Sequence, residues 1–250
     1  MAATTMRTAT GWLSLVYATQ AAVLAGILVG TQRVVALPID AGFVDGARAV
    51  TISLGAVDLG WALVAILIGG AATHALAAAK AGPGEQPRTE NPGTERAGVG
   101  RAGALVVAGW SQGLGIVVFL VAQLNGISDP VALVPLFALS AGCVCLLGID
   151  DGTAPRWRRP AAWAAVIGIV PWGVVALAQI GATITLGAPS SGVRIVTIAA
   201  LALAAVSWWI GWRRPHAARA ADVAVMAAVL SVLVWAIVAF VILAPSHENG

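Results

Sequence analysis

The sequence predicts an all-α membrane protein: one bundle of seven transmembrane helices filling residues 1–250. Three observations predict it. Of the 250 residues, 59% are hydrophobic and 10% charged, with a mean hydropathy of +0.90, whereas a soluble domain carries about 25% charged residues. The chain therefore has too little polar surface to cover itself in water, and a soluble globular enzyme is excluded. The apolar residues also fall into seven runs, each near the ~20 residues that a spanning helix needs. Finally, these runs do not alternate apolar and polar residues as the strands of a membrane barrel do.

The runs are Trp12–Gly30, Ile52–Ala79, Ala102–Leu124, Val131–Ile149, Ala161–Ala182, Val193–Trp212 and Val223–Leu243. The first lacks the basic start and small-residue cleavage site of a signal peptide, and it reads as a retained span. Thr31–Thr51 reads as a long loop containing Pro38, and Lys80–Arg101 as a flexible Gly/Pro/Glu-rich connection. Asn125–Pro130 is a tight turn, and Gly187–Gly192 a short Gly/Ser-rich one. Asp150–Pro160 and Arg213–Asp222 are basic connections.

Charge sets the expected orientation. Eleven of the 14 basic residues (Arg7, Lys80, Arg88, Arg96, Arg101, Arg156, Arg158, Arg159, Arg213, Arg214 and Arg219) fall on the side of the N-terminus, and only Arg33, Arg48 and Arg194 on the other. The positive-inside rule then predicts a multi-pass protein of the cell membrane with a cytoplasmic N-terminus and an extracellular C-terminus. The net charge of +3 is thus a topology signal and gives no support to a nucleic-acid partner. No internal repeat of the kind found in many transporters is visible.

Ionisable groups within a membrane are costly and mark functional positions. Here they are few. Asp58 lies near the outer end of the second span, and His74 deeper in the same span. The only lysine, Lys80, lies at a helix end. A proton relay and a polar channel lining are both missing, which predicts a non-pumping protein. His74 is either a neutral imidazole bonded to a helix carbonyl or a neighbouring helix, or a polar switch or water-site residue. Gln20, Ser111, Gln112, Gln123, Gln179, Ser207 and Ser231 are the kind of neutral polar residue that bonds membrane helices together, at about 0.6 kcal/mol each. Trp12, Trp157, Trp163 and Trp212 fit an interfacial belt. Trp110, Trp172, Trp208, Trp209 and Trp235 lie deeper, and either wall a flat apolar pocket or fill the core. Cys143 and Cys145 are too close in sequence for a useful disulfide loop and too few for a metal site. No nucleophile–base pair or phosphate loop is present, so no enzyme is predicted and no metal site either.

Several segments, in order, resemble the heliorhodopsins, a family of seven-helix retinal proteins with a cytoplasmic N-terminus. Gly168-Ile169-Val170-Pro171-Trp172 resembles the family's fifth helix, and Ala122-Gln123-Leu124-Asn125-Gly126-Ile127-Ser128-Asp129 the end of its third helix and the next turn. Ala36-Leu37-Pro38 resembles its first outer loop. His74 and Gln20 stand where the family has a histidine and a glutamine on helices two and one, and Ser231, Leu233 and Trp235 fit helix seven. The resemblance covers nearly the whole chain.

The departures concern the chemistry. The register of helix seven places Leu230 where the family carries its retinal-binding lysine, so no covalent Schiff base can form. Gly109 stands at the position of the counterion glutamate on helix three. Losing both is coherent, because a buried carboxylate without its cation costs several kcal/mol. Tyr17 stands where the family usually has a histidine. The resemblance therefore implies a rhodopsin-like bundle without a covalent cofactor. It implies a binding or regulatory role, with an apolar ligand (retinal, a carotenoid or a lipid) held non-covalently. The expected pocket comprises Gly109, Trp110, Ser111, Pro171, Trp172, Ser207, Trp208, Leu230, Ser231 and Trp235, with a separate polar site on the cytoplasmic side at Tyr17, Gln20 and His74. Family members form dimers, so a homodimer is expected. The alternative is a structural or accessory subunit of a membrane-protein complex, docking through small residues such as Gly113, Gly115 or the alanines of the seventh span.

Overall fold

The computed structural model describes residues 2–45, 48–81, 101–148, 159–185, 190–213 and 220–243. The chain is mostly helical: α1 (Ala2–Thr31), α2 (Leu59–Lys80), α3 (Arg101–Leu124), α4 (Pro130–Gly148), α5 (Pro160–Thr185), α6 (Ser191–Arg213) and α7 (Ala220–Ile237). α7 runs on into a π-helical turn, Val238–Ile242, closed by Leu243 N donating to the Val238 carbonyl at 2.8 Å. Six of the seven helices are long and apolar enough to cross a membrane. α6 covers the span expected over Val193–Trp212, and its apolar stretch runs over Ser191–Val206 among the residues whose side chains are described.

One expected element is different. Between α1 and α2 lies an antiparallel hairpin, β1 (Ala36–Asp45) and β2 (Arg48–Asp58), where a long loop and the first turns of the second span were expected. Ile52–Val57 is apolar but alternates, Ile52-Ser53-Leu54-Gly55, and it forms a strand. The ladder skips Leu54 between the Ile39–Gly55 and Asp40–Ser53 pairs. This bulge uses the positive φ of Gly55, +142°, which side chains rarely adopt. α2 starts only at Leu59, where Asp58 caps it by accepting from Trp61 N at 3.1 Å. Asp58 is thus a helix cap and not a residue within a span. α4 starts in the same way, with Val131 N donating to Asp129 Oδ1 at 2.8 Å and Pro130 in the first turn, where its missing N–H costs nothing.

Hydrogen bonds bring alternate connections to one end of the bundle. Asp40 N donates to the Ser128 carbonyl at 3.0 Å. Gln123 Nε2 reaches the carbonyls of Leu37 and Pro38 at 3.4 and 3.0 Å. Asn125 Nδ2 donates to Thr197 Oγ1 at 2.9 Å, and Arg33 donates to the Ile242 carbonyl at 3.1 Å. The hairpin, the α3–α4 turn, the start of α6 and the end of α7 therefore share one end. Arg7, Lys80 and Arg159 belong to helix ends at the opposite one. Arg88, Arg96, Arg156, Arg158, Arg214 and Arg219 lie outside the described residues, as do most of the connections 80–101, 150–160, 187–192 and 213–222.

The main core joins α1, α2, α3, α4 and α7 through Tyr17, Leu24, Leu63, Leu67, Val117, Val121, Leu133 and Ile237. Large apolar side chains also cover the outside, among them Val29, Ile68, Val131, Ile169, Leu177 and Ile184. In water such a surface would drive aggregation; in hydrocarbon it costs nothing.

Candidate functional site

α1 presents one polar face with a period of three residues, through Ser14, Tyr17 and Gln20. Ser14 Oγ donates to the Ala71 carbonyl of α2 at 2.9 Å. The Tyr17 hydroxyl donates to the Ala227 carbonyl of α7 at 3.2 Å, and Gln20 Nε2 to Ser231 Oγ at 3.2 Å. α1 is thus bonded to both neighbours. The Tyr17 ring stacks on His74, with centroids 5.5 Å apart and planes 11° from parallel. Gly70 makes room for it: a Cβ there would already touch the Tyr17 ring at 3.4 Å. Tyr17, Gln20, His74 and Ser231 therefore form one constellation between α1, α2 and α7.

This stack forms one wall of a cavity of about 340 Å³. The remaining wall comes from Ile66, Gly69, Gly70 and Thr73 of α2, from Leu105, Val106, Gly109, Trp110, Gln112, Gly113 and Ile116 of α3, and from Leu230 of α7. The volume falls in the ~300–1,000 Å³ range of small-molecule sites. The lining is mainly apolar. Two nitrogens of lining residues, His74 Nδ1 and Trp110 Nε1, are packed away from the open space and have no hydrogen-bond partner. Their residues are only 2% and 9% exposed. Leaving a buried polar group unpaired costs about 1–3 kcal/mol, and native proteins do this rarely. Nδ1 of His74 therefore bonds neither to a helix carbonyl nor to a neighbouring helix, the role that one reading of the sequence gave the imidazole.

No family model matches this chain, and no curated protein is similar to it.

The ten residues expected to make an apolar pocket are distributed more widely. Gly109, Trp110 and Leu230 line the cavity just described. Leu230 is half-buried on α7 and lies against Gly113, where an added Cβ would sit 3.4 Å from its Cδ2. Gly109, one turn earlier, faces Thr73 of α2. Ser231 belongs to the α1–α7 contact. Ser111 is buried, and its Oγ bonds back to the Ala108 carbonyl at 3.1 Å. Pro171 is buried within α5, and Trp172 and Trp235 pack against the main core. Trp208 Nε1 donates to the Ala161 carbonyl at 3.2 Å, joining α6 to α5. The side chain of Ser207 lies outside the described residues. Between α3, α4, α6 and α7, the space beside Trp110, Met226, Leu230 and Leu233 amounts to about 30 Å³. That holds a water molecule or two and no polyene.

Sequence reasoning did not place Gly69, Gly70, Thr73, Gln112 and Gly113 in the site. The pair Gly69-Gly70 inside an apolar helix was the available signal, since each glycine there costs about 1 kcal/mol relative to alanine. Gly113 and Gly115, considered as contacts to a partner protein, are used internally, with Gly115 abutting Phe137 of α4.

Proposed function

We propose that this protein is a heliorhodopsin-like membrane protein that holds a small apolar ligand non-covalently and moves no ions. The carrying observation is the cavity walled by Tyr17, His74, Trp110, Gly113 and Leu230. It has the size of a ligand site and a mainly apolar lining, yet no amine lines it to link a chromophore. The ordered motifs and the seven helices support a rhodopsin-like bundle. The excess of basic residues at one end supports a cytoplasmic N-terminus and an extracellular C-terminus in a cell membrane.

Retinal is one ligand of suitable polarity, with carotenoids and lipids as the others. The test is an absorption spectrum of the purified protein with and without added retinal, together with the pH of illuminated cells that express it. The reading expects no red-shifted, borohydride-sensitive band and no light-driven pH change. Either signal would refute it.

An interaction role has one observation in its favour. The hairpin exposes Phe43, Val50, Ile52 and Leu54, an apolar face that suits a second copy of the chain or another membrane protein. Cross-linking in native membranes distinguishes homodimer, hetero-complex and monomer.

A further inference from the structure

The cavity is open on one side. The lining residues that are themselves exposed include Ala65 and Gly69 of α2 and Ala108 and Gln112 of α3, which sit within those helices rather than at their ends. At ~1.5 Å per residue, Gln112 stands about 16 Å along α3 from Arg101, near the middle of a ~30 Å hydrocarbon core. The open side therefore faces lipid.

Two features set that face apart. The first is Gln112 itself. Its side chain is exposed and makes no hydrogen bond among the described residues, whereas the other glutamines of the spans, Gln20, Gln123 and Gln179, are all more buried. An amide without a partner in hydrocarbon is costly, so a group from outside the chain's own fold must pair with it. The second feature is the low relief around the amide. Ala104 and Ala108 precede Gln112 at four-residue intervals on α3, and Ala65, Gly69 and Ala72 are exposed on α2. A Cβ at Gly69 would meet nothing within 4 Å. Small residues on a membrane face let another helix approach closely.

We propose that the seam between α2 and α3 is the contact surface for a second copy of this chain, with the two Gln112 side chains paired across the twofold axis. Copies inserted in the same orientation are related by an axis along the membrane normal, so each residue finds its own counterpart at its own depth. An amide both donates and accepts, and two facing glutamines therefore satisfy each other through two reciprocal N–H···O=C bonds. A different membrane protein would need a polar group of its own at mid-membrane depth; a second copy brings one necessarily. The seam is also the open side of the cavity, so docking there encloses a space that one chain leaves open to lipid. This closure does not depend on which molecule fills the cavity.

The experiment uses the full chain in phosphatidylcholine vesicles, with donor- and acceptor-labelled copies tagged after Gly250. Energy transfer is followed as the protein is diluted with lipid. The wild type should dimerise reversibly. Gln112→Leu, an apolar change on a lipid-facing side chain, should weaken the dimer about 10-fold or more, from two bonds at ~3- to 20-fold each. Gln112→Asn keeps the amide and should hold the dimer better than Gln112→Leu. The surface is tested separately by oxidative cross-linking of single cysteines in a Cys145→Ala background, because Cys145 is exposed and Cys143 is buried. Ala108→Cys should give a disulfide-linked dimer, which requires Cα atoms within ~7 Å. Leu177→Cys, on the exposed face of α5, should not. Equal dimer affinities for wild type and Gln112→Leu would overturn the amide pair. Cross-linking through Leu177→Cys and not Ala108→Cys would overturn the surface. A wild type that stays monomeric at every dilution would overturn the proposal as a whole, while leaving the cavity as a ligand site.

Discussion

Alanine at Gly109 and alanine at Gly113 add the same methyl group one turn apart on α3, yet the two should behave differently. At Gly109 the new Cβ would lie 2.5 Å from Thr73 Cγ2 and 2.9 Å from Thr73 Cβ and Oγ1. Thr73 cannot easily turn aside: its side chain is β-branched and stiff at χ1, and its Oγ1 donates to the Gly69 carbonyl at 2.7 Å. At Gly113 the nearest atom is Leu230 Cδ2 at 3.4 Å, an ordinary contact with a side chain that has rotamers to spare. Both substitutions gain about 1 kcal/mol of helix propensity, and only the first overpacks, at about 1–3 kcal/mol. Gly113→Ala should therefore be neutral or mildly stabilising, and Gly109→Ala less stable than it by that overpacking cost. At ~2–4 °C per kcal/mol for a chain of this size, the melting midpoints should differ by roughly 2–12 °C. Tryptophan fluorescence during heating in one detergent measures this. Adding Thr73→Ala should recover part of the loss at Gly109 in a double-mutant cycle, because the Thr73 Cβ remains. Midpoints that agree within about 1 °C, or a lower one for Gly113→Ala, would show that the α2–α3 packing is not as described.

Leu230→Lys incubated with retinal should give at most an adduct absorbing in the near ultraviolet, since no carboxylate lines the spaces beside Leu230 among the described residues to favour its charged form; Gly113→Glu, and not the overpacked Gly109→Glu, should then move absorption into the visible, and a visible band from Leu230→Lys alone would contradict this. Tyr17→Phe keeps the stack on His74 but loses the hydroxyl bond to Ala227, and should cost about 0.6–1.7 kcal/mol by thermal melting; a loss of several kcal/mol would mean the hydroxyl has another role. Gln123→Leu removes the two bonds that hold the hairpin to α3, so chymotrypsin should cut at exposed Phe43 several-fold faster, and an unchanged rate would show that those bonds do not anchor it. A reporter fused after Gly250 should be active only in its extracytoplasmic form, and activity of a cytoplasmic reporter would reverse the proposed orientation.

The helices were legible wherever an apolar run ended in proline, aspartate or charge. α4 and α5 begin within a residue of the expected positions because Pro130 and Pro160 open them. The hairpin was hidden because Ile52–Val57 is as apolar as the helix that follows it. Its alternation and Gly55 were the readable signs of a strand, and Asp58 before an unbroken apolar run was the sign of a cap. Tyr17, Gln20 and His74 were legible as a group because polar residues in spans are few. The ligand space was not legible, because periodicity places a residue on a helix face without saying which neighbour that face meets. Gly109 was aligned with the interior of the bundle, yet it faces Thr73, and the described cavity lies between α2 and α3, beside Tyr17 and Leu230, instead of among α3, α5, α6 and α7.

Native mass spectrometry of the protein released directly from its own membranes tests the central claim most directly. A chain carrying one small molecule of a few hundred daltons, lost completely on denaturation and absent from Gly69→Phe, is the predicted result. A bare chain, or an adduct that survives denaturation, would contradict non-covalent binding in the cavity beside Tyr17 and His74.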